Sequence, residues 1–224
     1  MTLKLALFDL DHTLIPLDSD YAWGEFTVTL GWRDAETHTR ANDAFYAQYK
    51  AGTLDIHEYI RFSVAPLAEH GPRKAEAAHQ RFMNEVIRPA MTPQALDLVR
   101  RHQAAGDQVL IVTATNEFIT RPIARAFGVD ELIAIDLERD GTGNPTGGIR
   151  GVPSFREGKV ARVEQWLAAR GLDWSRVEHS TFYSDSINDL PLLEKVNEPV
   201  ATNPDDRLRA IATERGWRVL NLFD

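Results

Sequence analysis

Two aspartates set two apart, Asp9-Leu10-Asp11-His12-Thr13, follow a short apolar run near the start of the chain. At the C-terminal end of a strand, residues i and i+2 point to the same side, so Asp9 and Asp11 can share one face. In open α/β sheets that end of the strand is where ligands bind. Asp and Thr also favour turns and caps, so a plain turn accounts for the same residues. A second acidic pair sits in Ser184-Asp185-Ser186-Ile187-Asn188-Asp189, again after an apolar run. Asp185 and Asp189 are four apart, which brings them to one side if a helix starts between them. The acid preference of a helix N-terminus would explain one of them. Lys159, preceded by Gly158, stands at a helix start, and Thr113-Ala114-Thr115-Asn116 closes a third apolar run. A solvated lysine and an ordinary N-cap would explain these last two taken singly. Lys159 is not a P-loop lysine, because Val160 follows it and Pro153 occupies the glycine position. Carboxylates gathered at one crevice are the groups that acid–base chemistry and oxygen-ligated cations use.

The elements that must position these groups are short apolar runs separated by helical patterns. Strands are predicted at 3–8, 108–113, 131–135, 180–184 and 218–222, with a weaker one at 199–202. Helical spacing follows Thr92-Pro93, runs through Ile119, Ile123 and Phe127 to Gly128, and through Val160, Val163 and Leu167 to Gly171. Pro204 opens a last helix, with Asn203 as its N-cap. From residue 90 onward strands alternate with helices, the pattern of an α/β fold. Residues 16–87 hold no strand pattern. Two helices are predicted there, around 41–49 and 56–67, punctuated by Gly52 and Gly71-Pro72. Trp23, Phe26, Trp32 and Tyr49 in this stretch read as core or pocket wall, and their helical spacing favours core. Residues 141–148 read as a loop joining hairpin strands near 137 and 149.

Taken in order, FDLDHT (8–13), IVTATN (111–116), Lys159 and YSDSINDLPLL (183–193) resemble the haloacid dehalogenase superfamily of phosphohydrolases. The resemblance covers nearly the whole chain and is to the phosphoserine-phosphatase-like subgroup. It implies a Rossmann-like parallel sheet with helices on both faces, formed by 1–15 and 88–224, plus an inserted α-helical cap at 16–87. It implies a phosphomonoesterase with Asp9 as nucleophile, forming an aspartyl-phosphate, and Asp11 as general acid and then base. Mg²⁺ would be held by Asp9, Asp11 through its carbonyl, and Asp185, with Asp189 beside the metal or near Lys159. Thr113, Ala114 and Lys159 would bind the phosphoryl group. Asp18 and Arg61 fall where phosphoserine phosphatases hold the substrate's amino and carboxylate groups. The chain departs from that subgroup at Thr113-Ala114-Thr115, where Ser-Gly-Gly is usual, which puts side chains where glycines leave room. The implied substrate is a small phosphorylated metabolite with a nearby amine, such as phosphoserine or histidinol phosphate. A phosphotransferase or mutase using the same aspartate, or a phospholigand-binding module, are the alternatives.

Composition agrees with an ordinary globular chain: 224 residues, 43% hydrophobic and 26% charged. No cysteine is present, which excludes a disulfide scaffold, a cysteine nucleophile and a thiolate metal site. A net charge of −8 argues against nucleic-acid and membrane-surface partners. The apolar run at 5–10 is too short and too acidic for a signal segment. These features lead us to expect a cytoplasmic protein, as a monomer or homodimer.

Overall fold

The computed structural model describes residues 3–223. Six parallel strands form its central sheet: β1 (Leu3–Phe8), β2 (Gln108–Asn116), β3 (Glu131–Ile135), β6 (Val177–Ser184), β7 (Glu198–Thr202) and β8 (Arg218–Leu220). Their order is β3-β2-β1-β6-β7-β8. The chain therefore reverses direction across the sheet at β1, and β1 lies between β2 and β6. That switch point is where an α/β sheet opens a crevice beyond its strand ends. A separate antiparallel hairpin, β4 (Leu137–Arg139) and β5 (Pro145–Ile149), stands beside the sheet.

Side-chain alternation along the strands divides the core in two. Ala6, Phe8, Val109 and Ile111 face one cluster, while Leu5, Leu7, Leu110 and Val112 face the other. The second cluster is closed by α8 (Glu157–Ala168), α9 (Leu190–Leu193) and α10 (Asp206–Arg215) through Val163, Leu167, Leu192 and Leu208. The first is closed by α6 (Pro93–Ala104) and α7 (Glu117–Ala126) through Val99, Ile119 and Ile123.

Between β1 and α6 the chain is helical: α1 (Ser19–Thr29), α2 (Ala35–Ala51), α3 (Ile56–His70) and α4 (Pro72–Phe82). A π-helical turn at Met83–Ile87 and the short α5 (Arg88–Ala90) carry the last of these on without a break, so residue 87 lies within continuous helix. α1 has no clear apolar spacing in the sequence, while α4 buries Ala75, Ala78 and Phe82 at i, i+3 and i+7. Asp18 caps α1 by accepting from Asp20 N and Tyr21 N at 3.0 and 2.9 Å. Pro72 starts α4, where its missing N–H costs nothing. Trp23, Phe26, Ile60 and Phe82 are buried in the same cluster as Ile119 and Phe127, as expected for Trp23 and Phe26. Trp23 packs edge-on against Phe118 at 5.7 Å, so the helical insertion and the sheet share one core. Trp32 packs partly buried on that cluster.

The last helix starts later than expected, at Asp206, and Asp205 rather than Asn203 caps it, accepting from Leu208 N at 2.7 Å. Asn203 instead donates to His12 O at 2.9 Å and accepts from Leu222 N at 2.6 Å. His12 has φ 56°, a left-handed conformation that costs free energy at a non-glycine residue. The Asn203 bond helps hold that turn, and with it the two aspartates on either side of Leu10.

Candidate active site

Asp9 follows β1 directly, and its N–H donates to Tyr183 O of β6 at 2.9 Å. Asp9 is 6% exposed, and its carboxylate meets two groups. Lys159 Nζ donates to Asp9 Oδ1 at 2.8 Å and to Asp189 Oδ2 at 2.6 Å. The Thr13 hydroxyl lies 3.3 Å from Asp9 Oδ2 and 3.2 Å from Asp185 Oδ1, and accepts from Asp185 N at 3.1 Å. One hydroxyl proton cannot serve two carboxylates at once. Asp9 and Asp185 thus converge with less compensation than two buried charges need.

Electrostatics follow from that crowding. Burial pushes the Asp9 carboxyl up, with Lys159 opposing and Asp11 adding to the rise. Burial, then the charges of Asp9 and Asp189, raise Asp185 well above the usual carboxylate range. Asp189 is pushed up to about 6 by burial, against the pull of Lys159. Burial alone would lower the Lys159 ammonium, but Asp189 and Asp9 outweigh it and hold the charge in place.

Asp11 projects above this floor. Its Oδ1 accepts from Ser19 N at 2.8 Å and its Oδ2 from the Thr115 hydroxyl at 2.7 Å. Burial and then the nearby Asp18 raise it to about 6, with the Ser19 and Thr115 bonds opposing. Thr113 is 1% exposed, and its oxygen accepts from Thr115 N at 3.1 Å. That leaves the Thr113 O–H free to donate into the crevice. β2 runs on to Asn116, so Thr113 to Thr115 ride its tip, while Asn116 does cap α7 by accepting from Ile119 N at 3.3 Å.

One cavity is lined by Asp9, Asp11, Asp18, Thr113, Ala114 and Asp185. Lys159 and Asp189 lie beneath its floor, 2% and 3% exposed. Asp189 Oδ2 is taken by Lys159 and by the Ser184 hydroxyl at 2.7 Å, so Asp189 stands beside Lys159, one of its two expected places. The expected placement of Arg61 is corrected. Arg61 is exposed, and its stem packs against Gly147 of the hairpin, because α3 turns that face to β5. Arg61 lies about 200° around the helix from Tyr59, which does face the cavity. Tyr49 also lines the cavity and is not core, as its place near the end of α2 allows. Thr13, Thr115 and Ser184 stand inside the quoted motifs, but their partners are set by the fold: Thr13 reaches Asp185, Thr115 and the Ser19 N–H reach Asp11, and Ser184 reaches Asp189.

The donor set suits a hard cation. Asp9 and Asp185 offer oxygens whose mutual repulsion a divalent ion would relieve, and Asp11 could add only its main-chain carbonyl. Among the described residues no three acidic or histidine side chains are grouped as for a metal ion. Two carboxylates, a carbonyl and water match the way Mg²⁺ keeps much of its hydration.

The haloacid dehalogenase-like hydrolase family matches residues 6–194. The chain belongs to this family. A histidinol-phosphatase of Neisseria meningitidis is 46% identical over 218 residues, covering 97% of this chain and 98% of its own. A Bordetella pertussis protein of unknown function shares 53% identity and a TM-score of 0.94, covering 100% of both chains. A substrate-bound phosphoserine phosphatase aligns at a TM-score of 0.65 and 19% identity over 98% of this chain and 93% of its own, a likeness of fold. This haloacid dehalogenase-like hydrolase is a phosphatase.

Proposed function

We propose that the protein is a Mg²⁺-dependent phosphomonoesterase that hydrolyses a small phosphorylated metabolite through an aspartyl-phosphate on Asp9, with histidinol phosphate as its substrate. The observation that carries the chemistry is the Lys159 ammonium bonded to both Asp9 and Asp189 below a cavity that Asp9 lines. An Asp9 oxygen attacks phosphorus as the bond to the leaving oxygen breaks, and Asp11 gives that oxygen its proton. Its raised pKa of about 6 makes Asp11 fit to hold one. Asp11 then takes a proton from water, which attacks the phosphorus and frees Asp9. Thr113 donates its hydroxyl hydrogen to a phosphoryl oxygen, the Ala114 segment bounds the same space, and Lys159 offsets charge gathering in the transition state. The cation, held by Asp9, Asp185 and the Asp11 carbonyl, supplies further neutralisation of phosphate charge.

The helical segment 16–87 acts as a cap, closing the cavity through Tyr49 and Tyr59 and excluding bulk water. Asn188 Nδ2 donates to Tyr49 O at 3.1 Å and Arg156 donates to Gly52 O, so the tip of α2 already rests on the catalytic side. Asp18 faces the substrate from the first turn of this segment. Identity to the Neisseria histidinol-phosphatase over almost the full length of both chains supports the choice of substrate.

Phosphate release from histidinol phosphate, phosphoserine and p-nitrophenyl phosphate, with Mg²⁺ and after chelation, tests the reading. Fast metal-dependent release from histidinol phosphate is expected. Release that survives chelation would remove the metal from the account, and no release from any ester would remove the activity.

A further inference from the structure

Asp20 is a buried carboxylate that the phosphate chemistry leaves unused. It is 4% exposed and sits in the first turn of α1. Its Oδ1 accepts the Ser63 hydroxyl at 2.6 Å, which ties α1 to α3. Its Oδ2 is buried and meets no group in hydrogen-bond geometry among the described residues, although the Tyr59 hydroxyl is near enough to pull the Asp20 carboxyl down. Yet Asp20 lines the same cavity as Asp9 and Asp11. A buried carboxylate oxygen without a partner is costly, and a cation entering the cavity would remove that cost. Asp18 also lines the cavity, with its Oδ1 engaged in capping α1 through Asp20 N and Tyr21 N.

The surrounding wall defines the kind of cation. Phe45, Tyr46 and Tyr59 line the cavity beside the two acids. Aromatic faces attract organic cations and offer a metal ion no oxygen shell. Burial, then Asp20 and Asp18, hold the Tyr59 phenol protonated, so it stays a neutral donor. Among the described residues no lysine or arginine lines the cavity. The arginines on nearby elements are committed elsewhere. Arg33 donates to Phe62 O and Ser63 O at 2.6 and 3.0 Å, Arg156 donates to Gly52 O, and Arg61 packs against Gly147 of the hairpin. A ligand carboxylate in this part of the cavity would meet Asp18 and Asp20 at the wall, with Arg33 behind Asp20 and outside the lining.

We propose that Asp20 Oδ2, with the Tyr59 hydroxyl and the aromatic wall, receives a protonated nitrogen of the substrate and selects phosphate monoesters of amino alcohols over esters that also carry a carboxylate. This deepens the phosphatase reading and rests on it. It names Asp20 as a specificity-determining residue.

The test is a comparison of kcat/KM for histidinol phosphate, phosphoserine and p-nitrophenyl phosphate in wild type and Asp20→Asn, both loaded with Mg²⁺. Asparagine keeps an oxygen for the Ser63 hydroxyl and removes the charge. The ratio of histidinol phosphate to p-nitrophenyl phosphate should fall about tenfold or more, as loss of a charged contact predicts. A ratio held within about twofold would overturn the subsite, because a contact made to one ester alone must show in it. A wild type that hydrolyses p-nitrophenyl phosphate but favours phosphoserine over histidinol phosphate would also overturn it, with the phosphatase reading intact. A wild type inert to all three esters would remove that reading and the subsite with it. Calorimetric titration with free histidinol gives a readout without turnover. Asp20→Asn should weaken its binding about tenfold, the same contact read as affinity, and equal affinity would contradict the proposal.

Discussion

Lys159 Nζ lies 2.8 Å from Asp9 Oδ1, and the two side chains are 2% and 9% exposed. Taking two charges this far from water is costly, and removing either partner leaves the other buried and uncompensated. The third member, Asp189 at 2.6 Å, leaves the floor with two acids to one cation. Lys159→Met should therefore abolish turnover and destabilise the fold by about 3–5 kcal/mol near neutral pH, because two buried carboxylates lose their partner. Urea unfolding checks this. The loss should shrink at pH 5, where the raised carboxyls of the folded state take up protons. A variant as stable as wild type at pH 8 would show that the pair does not hold the floor.

Gly158 determines where that lysine can stand. A Cβ at this position would lie 2.0 Å from Pro153 O, closer than any real contact. Helix propensity favours alanine over glycine by about 1 kcal/mol. Here the clash wins, because the obstacle is backbone. Gly158→Ala should shift the start of α8 and lower kcat by about tenfold or more, since small displacements of a catalytic group are that costly. Stopped activity assays check it, and wild-type kcat would refute the close approach.

His79 ties acid sensitivity to the interface of insertion and sheet. Its Nε2–H donates to Ile119 O at 3.0 Å, and burial lowers its pKa to about 4. The unfolded chain binds a proton near pH 6.5 that the folded one refuses. Stability should thus be unaffected above pH 7 and fall progressively from about 6.5 to 4, by about 3 kcal/mol in all from this residue. His79→Gln should remove that part of the slope in a melting-temperature series. An unchanged slope would reassign the sensitivity.

Asp20 moves stability the other way. Burial raises it to about 7, with Asp18 and Asp11 adding to the rise and the Ser63 bond opposing. The folded state then holds a proton that the unfolded state has lost, so stability falls as pH rises from about 4 to 7 and stays reduced above. Asp20→Asn should raise the melting temperature of the ligand-free protein at pH 8, equivalent to about 2 kcal/mol. A lower melting temperature would mean that the charge is compensated inside the protein.

Much of this site was legible because strand ends and helix starts announce themselves locally. β1 and β3 match their apolar runs residue for residue. Asp9, Asp11, Thr113 and Asp185 meet in one cavity because each follows such a run. What could not be read depends on packing between distant segments. β2 continues through Thr113 to Asn116 because Asn116 pairs again with Ile135 of β3, although the register between those strands breaks after Val112. Asp20 and Thr115 look like any polar residue until α3 and Asp11 are set beside them. Arg61 shows the converse. Spacing along a helix places a residue in sequence, but only the hairpin decides which face of α3 looks inward.

The central claim is that Asp9 carries the phosphoryl group. Acid quenching of the Mg²⁺-loaded enzyme during turnover of histidinol phosphate, followed by peptide mass spectrometry, measures it directly. A phosphoryl group on the peptide bearing Asp9, absent from Asp9→Asn along with turnover, is the predicted result. Turnover that persists in Asp9→Asn, or a phosphoryl group trapped on another residue, would contradict the account.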